Sequence, residues 1–456
     1  MTLRASLLRE VLNPTVSVGR RVELCCELAQ DFENKGEYEE ARELLSGLWP
    51  EMGQRPEVAG LEQDTAAEVL LRAGVLTGWL GSHHQITDPQ EKAKNLISES
   101  LAIFESRTHP RKIAEAQTEL AWCYWRTGDY NEALDCLKLA LAQLPHDNDL
   151  RAKTVLRMAV VEHFAGRSRD ALTMLTDHAA LFEKINNDTL KGCYRQTLAD
   201  ALVKLWDAGG PRDYLDQSLL EYAAASHHFE QAEHRNYLAN AENNLGFLLY
   251  KANHCEEAHE HLDSARRMFA RLKDRESAAQ VDETRARVFL KEKRDAEAEK
   301  LARSSVRVLE HSERHALLAE SLTTHATALA RLGQYGAALA TFRRALDLSQ
   351  RIGAEVRAAQ VTLAVFQEMG DRLVVIEEEL PITGRKLVEE VRALEHKLIK
   401  HALESTDGSI TYAARNLGMS YQALTYMLET RHKDLLPERS PSRRRPRKIT
   451  VAKENQ

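Results

Sequence analysis

Apolar and polar residues follow a helical period on both sides of a short turn in residues 119–145, ELAWCYWRTGDYNEALDCLKLALAQLP. The turn has the form Gly-x-Tyr, and the second helical segment opens on a small residue. Similar segments, two of them weaker, occupy residues 28–50, 158–182, 243–269, 284–309 and 324–349. One helical hairpin repeated along a chain predicts a stack of hairpins, because each copy buries its apolar face against the next.

A small residue near the start of each second helix marks the repeat. The markers are Ala41, Ala93, Ala133, Ala171, Leu215 (a degenerate copy), Ala258, Ala298 and Ala338. Alanine lets the two helices of a hairpin approach closely, and the turn glycine supplies the left-handed residue that ends the first helix. The intervals of 38 to 52 residues predict about eight hairpins in an all-α chain.

The segments ELAWCYWRTGDYNEAL and NLGFLLY…EEA resemble tetratricopeptide repeats, and the resemblance covers about residues 20–355. The period lies nearer 40 than the usual 34 residues. The resemblance implies a right-handed helical-hairpin solenoid whose concave surface binds a peptide or a protein segment.

Four asparagines in RNYLANAENNLGFLLYK are the candidate partner-binding residues. Asn236, Asn240 and Asn243 are spaced at i, i+4 and i+7 on one helical face, and Asn244 is adjacent. An amide both donates and accepts hydrogen bonds, so this row can hold the backbone of an extended peptide. In tetratricopeptide proteins the position of Asn244 often does so. The alternative interpretation is a solvated helix face.

The repeat pattern stops after Gly370, and a second kind of module follows. Apolar residues at Leu387, Val388, Val391, Leu394, Leu398, Ile399 and Ala402 predict an amphipathic helix over about 384–404. Ser409 and Ser420 are predicted to cap two short helices separated by GMS, in which Gly418 suits a left-handed turn. Two short helices joined by such a turn form a helix-turn-helix.

These patterns predict four parts of the chain. They are a sensing or partner-binding solenoid (1–370), a linker (371–383), a helix-turn-helix domain (384–435) and a basic disordered tail (436–456).

Residues 402–428, ALESTDGSITYAARNLGMSYQALTYML, resemble the Fis-type helix-turn-helix of bacterial enhancer-binding activators. The resemblance implies DNA binding as a homodimer, with the preceding long helix at the dimer interface. Family members usually carry Arg, Lys or Asn on the exposed face of the last helix. The matching positions here are Tyr421, Gln422, Ala423, Tyr426 and Met427.

Several residues of this module can still contact DNA. Gln422 can read adenine through two hydrogen bonds, and Tyr421 can contact a phosphate or a thymine methyl group. The predicted DNA contacts in the module are Ser420, Tyr421, Gln422, Thr425, Tyr426, Arg431 and Lys433.

Charge is distributed unevenly along the chain. Residues 381–456 contain 15 Lys+Arg and 9 Asp+Glu, a net charge of +6, which leaves −13 for residues 1–380. The cluster RRRPRK places Arg443, Arg444, Arg445, Arg447 and Lys448 just after the helix-turn-helix. We predict that these five side chains neutralise DNA phosphates; the alternative is a solvated end.

Composition and missing motifs exclude several classes of protein. The six cysteines form no CxxC pair, which disfavours both a disulfide framework and a redox site. Histidine clusters at 254–261 and 311–315 have metal-ligand spacing, but 18 histidines make chance pairs common, so we predict no metal or other cofactor. Phosphate-binding loops, nucleophile motifs and membrane-length apolar runs are missing, so we expect a non-enzymatic, cytoplasmic, nucleoid-associated protein without a membrane contact.

Two functional hypotheses follow from the sequence. The first is a one-component transcriptional regulator, in which the solenoid senses a peptide, protein or other ligand and the C-terminal module binds double-stranded DNA. The second is a scaffold or adaptor, in which that module only dimerises or contacts protein. Loss of Tyr421, Gln422 or Thr425 would matter only to the first.

Overall fold

The computed structural model describes residues 15–438, except 82–83, 147, 313, 370–382, 407 and 418, and before them residues 7, 9–11 and 13. Every regular element in these residues is a helix. Contacts within the chain divide it into unit 1 (Met1–Asp274) and unit 2 (Arg275–Gln456). The predicted all-α class and tetratricopeptide-type solenoid are confirmed, and the bounds of the four predicted parts stay predictions.

Unit 1 is a stack of six helical hairpins. Its helices are α1 (Val18–Asn34), α2 (Tyr38–Leu45), α3 (Gln63–Leu80), α4 (Pro89–Ser106), α5 (Pro110–Thr127), α6 (Tyr130–Ala142), α7 (Asp149–Phe164), α8 (Ser168–Asp177), α9 (Ala179–Lys184), α10 (Asp188–Asp207), α11 (Asp213–Gln231), α12 (Arg235–Lys251) and α13 (Cys255–Arg271). The paired helices are α1–α2, α3–α4, α5–α6, α7–α8, α10–α11 and α12–α13.

Unit 2 continues the hairpins and ends in the helix-turn-helix. Its helices are α14 (Arg275–Lys291), α15 (Asp295–Leu309), α16 (His315–Arg331), α17 (Tyr335–Arg351), α18 (Glu355–Met369), α19 (Thr383–Glu404), α20 (Ile410–Asn416) and α21 (Tyr421–Thr430), followed by a 3₁₀ helix at Lys433–Glu438. The pairs α14–α15 and α16–α17 bring the number of hairpins in the described residues to eight, as the marker spacing predicts.

The residues that define the repeat do what the sequence predicts. All seven marker alanines are fully buried. The turn glycines Gly36, Gly128 and Gly333 have φ values of 72°, 86° and 77°, in the left-handed region. A side chain with a Cβ pays steric energy there, which explains glycine at these turns.

The first and sixth hairpins of unit 1 meet. A Cβ atom at Gly36, in the α1–α2 turn, would lie 2.7 Å from Cε1 of His234, which precedes α12. The hydroxyl groups of Tyr38 and Tyr237 form a hydrogen bond beside this contact. His234 is 2% exposed, and its ring stacks on that of Tyr237 with the centroids 3.8 Å apart. Unit 1 therefore closes on itself, with α1 and α2 beside the start of α12.

The long helix α19 belongs to two cores within unit 2. In its first half, Val391 is buried in the same cluster as Val361 and Val365 of α18. Nearer its end, Ile399 and Leu403 are buried in the core of the helix-turn-helix. One continuous helix thus connects the last solenoid helix to the C-terminal module. Among the described helices, none combines the length and apolarity needed to cross a bilayer.

Candidate nucleic-acid interface and solenoid inner face

A small apolar core holds α19, α20 and α21 together. Ala413 and Ala414 of α20 are buried against Leu424 and Leu428 of α21. The pair of alanines allows a close crossing of two short helices, as the sequence predicts. The two helices therefore have the packing of a helix-turn-helix. Gly418, in the turn between them, lies outside the described residues.

The two predicted N-caps behave differently. The Ser420 hydroxyl oxygen accepts a hydrogen bond from the Ala423 amide at 3.1 Å, which confirms it as the cap of α21. Ser409 occupies the N-cap position of α20, but its side chain forms no capping hydrogen bond. The prediction of a side-chain cap at Ser409 is therefore wrong, and α20 begins with its first amides without that partner.

The exposed face of α21 consists of uncharged residues in its first two turns. Tyr421 and Tyr426 are 53% and 60% exposed, and Gln422 is also exposed. Met427, predicted on this face, is 4% exposed and belongs to the core, so that placement is wrong. It lies three residues after Leu424, on the side of the helix that faces inward.

Thr425, on α21, is half-buried. Its hydroxyl oxygen is buried and forms no hydrogen bond. The structure therefore offers no exposed hydroxyl at Thr425 for a base or a phosphate.

Two histidine–carboxylate contacts attach the end of the module to α19. Nε2 of His432 lies 3.1 Å from Oε2 of Glu395, and both residues are buried. His396 and Asp434 form a second pair at 2.5 Å, and the hydrogen bond from His396 lowers the pKa of the Asp434 carboxyl group. These contacts fix the segment after α21 against α19.

Basic residues flank α21 rather than line it. Lys433 is exposed and Arg431 is half-buried. On α20, Arg415 is exposed; the sequence prediction omitted it, because it considered only the second helix. The five basic residues Arg443, Arg444, Arg445, Arg447 and Lys448 lie outside the described residues.

The four asparagines of α12 do not share one environment. Asn236 is exposed. The side-chain amide of Asn240 donates hydrogen bonds to the backbone oxygen and the side-chain oxygen of Asn236, at 2.9 and 2.8 Å. Asn243 is only 6% exposed, and its side-chain oxygen has no hydrogen-bond partner. Asn244 is half-buried. The structure thus brings Asn236 and Asn240 together at the surface and directs Asn243 inward.

First helices of neighbouring hairpins share a buried ion-pair network in unit 1. Arg72 of α3 is 1% exposed and contacts Glu33 of α1 at 2.6 Å, Glu68 at 3.3 Å and Glu115 of α5. Lys112 joins this network, at 2.6 Å from Glu68. Sequence periodicity missed the network because its members come from three separate repeats.

Burial and charge act differently on the carboxyl groups that share Arg72. Burial raises the pKa of Glu33 to about 7, although Arg72 opposes this. Burial favours a raised pKa at Glu115 as well, but the positive charges of Arg72 and Lys112 outweigh burial there. The pKa of the Glu115 carboxyl group is therefore lowered. Both carboxylates contact one guanidinium, and we attribute the difference to the second cation beside Glu115.

A row of aromatic rings runs beside this network. Tyr38 stacks on Trp79 with the centroids 4.9 Å apart, and Trp122 stacks on Trp125 at 4.2 Å. The guanidinium of Arg126 lies 5.1 Å from the Trp79 ring centre. The indole nitrogens of both Trp122 and Trp125 are buried without a hydrogen-bond partner.

The histidine-rich segment near α13 pairs with glutamates. His254 contacts Glu257 and His261 contacts Glu242, each at 2.9 Å. In the part of the chain that the structure describes, no group of three or more His, Cys, Asp or Glu side chains is arranged to hold a metal ion.

Comparison with protein families matches three stretches of the chain. Residues 390–429 match the model described as bacterial regulatory protein, Fis family. Residues 71–145 and 319–351 match two tetratricopeptide repeat models. This chain carries tetratricopeptide repeats and a Fis-family helix-turn-helix. The comparison with curated proteins gives no match.

Solved structures with this arrangement of repeats share the fold at low sequence identity. A Rap protein complexed with competence and sporulation factor is 14% identical, with a TM-score of 0.50 over 77% of this chain and 98% of that one. The apo quorum sensor NprR from B. thuringiensis is 11% identical, with a TM-score of 0.53 over 75% and 92%.

A signal transduction ATPase with a tetratricopeptide repeat sensor, from Pyrococcus horikoshii, is 13% identical, with a TM-score of 0.52 over 78% and 55%. Identities at this level establish the tetratricopeptide fold of the chain and nothing about its ligand.

Proposed function

We propose that this protein is a one-component transcriptional regulator. Its helix-turn-helix binds double-stranded DNA as a homodimer, and its tetratricopeptide solenoid binds a peptide, a protein or a small molecule. The observation that carries the proposal is the exposed face of α21, with Tyr421 and Gln422 in its first turn over a packed core. Recognition helices contact base edges with residues near their N-terminus.

The shared helix α19 supports direct coupling between the two functions. Val391 is anchored in the solenoid core and Leu403 in the core of the helix-turn-helix. An α-helix rises about 1.5 Å per residue, so these anchors are about 18 Å apart on one rigid rod. A ligand that shifts α18 therefore moves the recognition helices and alters their spacing in a dimer.

The partner-binding part of the proposal rests on the inner surface of the solenoid. Two proteins of similar fold are a quorum sensor and a Rap protein complexed with competence and sporulation factor. Asn236 and Asn240 are the asparagines whose position suits a peptide contact, because their amides are near the surface. Asn243 does not enter this part of the proposal. That the chain has no catalytic activity stays a prediction.

The basic tail supplies phosphate neutralisation in this proposal. If Arg443, Arg444, Arg445, Arg447 and Lys448 each neutralise one phosphate, they contribute roughly −4.5 to the slope of log K against log salt. Cytoplasmic location at the nucleoid follows from the DNA partner.

Fluorescence anisotropy with the DNA upstream of the protein's own gene tests the proposal. The full chain, a Tyr421→Ala/Gln422→Ala double variant and a chain ending at Pro437 are titrated against this DNA and a scrambled control across salt concentrations. We expect the full chain to prefer the upstream DNA, the double variant to lose that preference, and the shortened chain to show a flatter salt slope.

The scaffold alternative gives a different result. Binding that is absent, or weak and indifferent both to DNA sequence and to the double variant, would leave the C-terminal module as a dimerisation or protein-contact unit. The exposed face of α21 carries neither Lys nor Arg, and this observation favours the scaffold alternative, since Arg and Lys are among the side chains that contact DNA phosphates.

A further inference from the structure

Helix α21 presents an unusual set of side chains for a helix that enters the major groove. Between Tyr421 and Thr430 the sequence, YQALTYMLET, contains neither Lys nor Arg. The exposed positions on this helix are Tyr421, Gln422, Tyr426, Glu429 and Thr430. Leu424, Met427 and Leu428 face the core and reach no base. The helix therefore offers one amide, two phenol rings, a carboxylate and a hydroxyl.

Each of these groups favours particular base pairs. Guanine is most often read by Arg or Lys bonded to O6 and N7, and α21 supplies no such cation. Glutamine bonds adenine through N6 and N7, and apolar or aromatic surface contacts the methyl group of thymine. The available chemistry thus matches both members of an A·T pair.

We propose that the half-site read by α21 consists of A·T pairs, with Gln422 on an adenine and the rings of Tyr421 and Tyr426 on thymine methyl groups. This inference rests on the proposed DNA-binding function and narrows its ligand. Gln422 and Tyr426 are one helical turn apart on the same face, about 6 Å along the axis. That distance covers about two base pairs at 3.4 Å each.

The other two exposed groups do not alter this reading. Thr430 donates its hydroxyl hydrogen to the Tyr426 carbonyl oxygen at 2.6 Å, within the last turn of the helix. Glu429 lies seven residues beyond Gln422, about 10 Å further along the axis. Since recognition helices use their N-terminal residues on bases, Glu429 lies near the DNA backbone, where a carboxylate repels phosphate.

Selection from a random double-stranded DNA pool by the full-length protein tests the inference. We expect the enriched half-site to consist of A·T pairs under the α21 contact. Gln422→Ala should reduce the preference for adenine at one position of the half-site by about tenfold. Gln422→Lys should change the preferred base at that position from adenine to guanine. Tyr412→Ala, an exposed tyrosine on α20, is the matched control, and it leaves the selected sequence unchanged.

Uracil in place of thymine tests the role of the tyrosine rings directly, because uracil lacks only the methyl group. Uracil in the selected half-site weakens binding by the full chain several-fold, and it has no effect on a Tyr421→Ala/Tyr426→Ala variant. Circular dichroism verifies that each variant is folded.

The outcomes separate the inference from the function on which it rests. A reproducible half-site of G·C pairs that is indifferent to Gln422→Ala overturns the inference and leaves the regulator proposal standing. Binding that tolerates uracil at every thymine also overturns it. Failure to enrich any sequence overturns the regulator proposal, and the inference with it.

Discussion

Replacing Glu33 by glutamine should remove a large pH dependence from the stability of unit 1. The Glu33 carboxyl has its pKa raised from the usual 4.5 to about 7, mainly by burial. Between these values the folded state holds a proton that the unfolded state has released. The free energy of unfolding therefore falls as pH rises through this window, by about 3 kcal/mol at 1.36 kcal/mol per pKa unit.

Other buried groups in unit 1, Asp200 and His234 among them, titrate in an overlapping range, so the wild-type curve alone cannot isolate Glu33. Burial raises the pKa of Asp200 to about 6, which lowers stability as pH rises from 3.8 to 6. Burial lowers the pKa of His234 to about 4, and the unfolded state then binds the extra proton, so stability rises between pH 4 and 6.5. Both contributions cancel when the free energy of unfolding of wild type is subtracted from that of the Glu33→Gln variant at each pH.

The assay is urea unfolding followed by tryptophan fluorescence from pH 5 to 8. All five tryptophans lie between residues 49 and 206, so the signal reports unit 1. We expect the stability of Glu33→Gln relative to wild type to increase by about 2 to 3 kcal/mol across this range. Glu27→Gln is the matched control on α1, because the Glu27 side chain is 51% exposed; it should shift the curve little.

A difference between wild type and Glu33→Gln that stays constant from pH 5 to 8 would refute the reasoning. It would mean that Arg72, at 2.6 Å, keeps Glu33 ionised in spite of its burial.

Three further perturbations test other contacts. Gly36→Ala places a methyl group against the imidazole that closes unit 1 and should cost about 1–3 kcal/mol more in urea unfolding than Gly128→Ala, which meets no atom within 4 Å; equal losses would refute the closure. His432→Ala leaves the Glu395 carboxylate buried without its partner, so hydrogen exchange in α21 should show a loss of about 3 kcal/mol; unchanged exchange would argue against this contact. Glu429→Gln should strengthen binding about twofold on every DNA sequence in anisotropy titrations; a change confined to one sequence would place Glu429 on a base.

The helical period was sufficient to place Met427 in the core, but it could not place the side chains of Asn243 and Thr425. Met427 follows Leu424 by three residues and Leu428 follows by four, so the core stripe that buries Met427 was already visible. Asn243 and Asn244 are adjacent, and only packing shows that the first is directed inward. The buried hydroxyl of Thr425 likewise depends on how closely neighbouring helices approach.

Local sequence patterns are sufficient to define the structural units of this protein. Seven alanine markers and the turn glycines of several hairpins reveal the repeat, because close helix approach favours a small side chain and a left-handed turn favours glycine. Ser420 and the AA…LG pattern define the helix-turn-helix for the same local reason.

Contacts between distant residues, in contrast, are set by the way in which the helices pack together. The contact of Gly36 with His234, the carboxylates around Arg72, and the burial of Val391 in the solenoid core each join residues from separate repeats or modules. The contact of Gly36 with His234, between the first and sixth hairpins, depends in addition on the small rotation between successive hairpins, which accumulates along a solenoid. No single repeat encodes that sum, so no local pattern in the sequence could predict it.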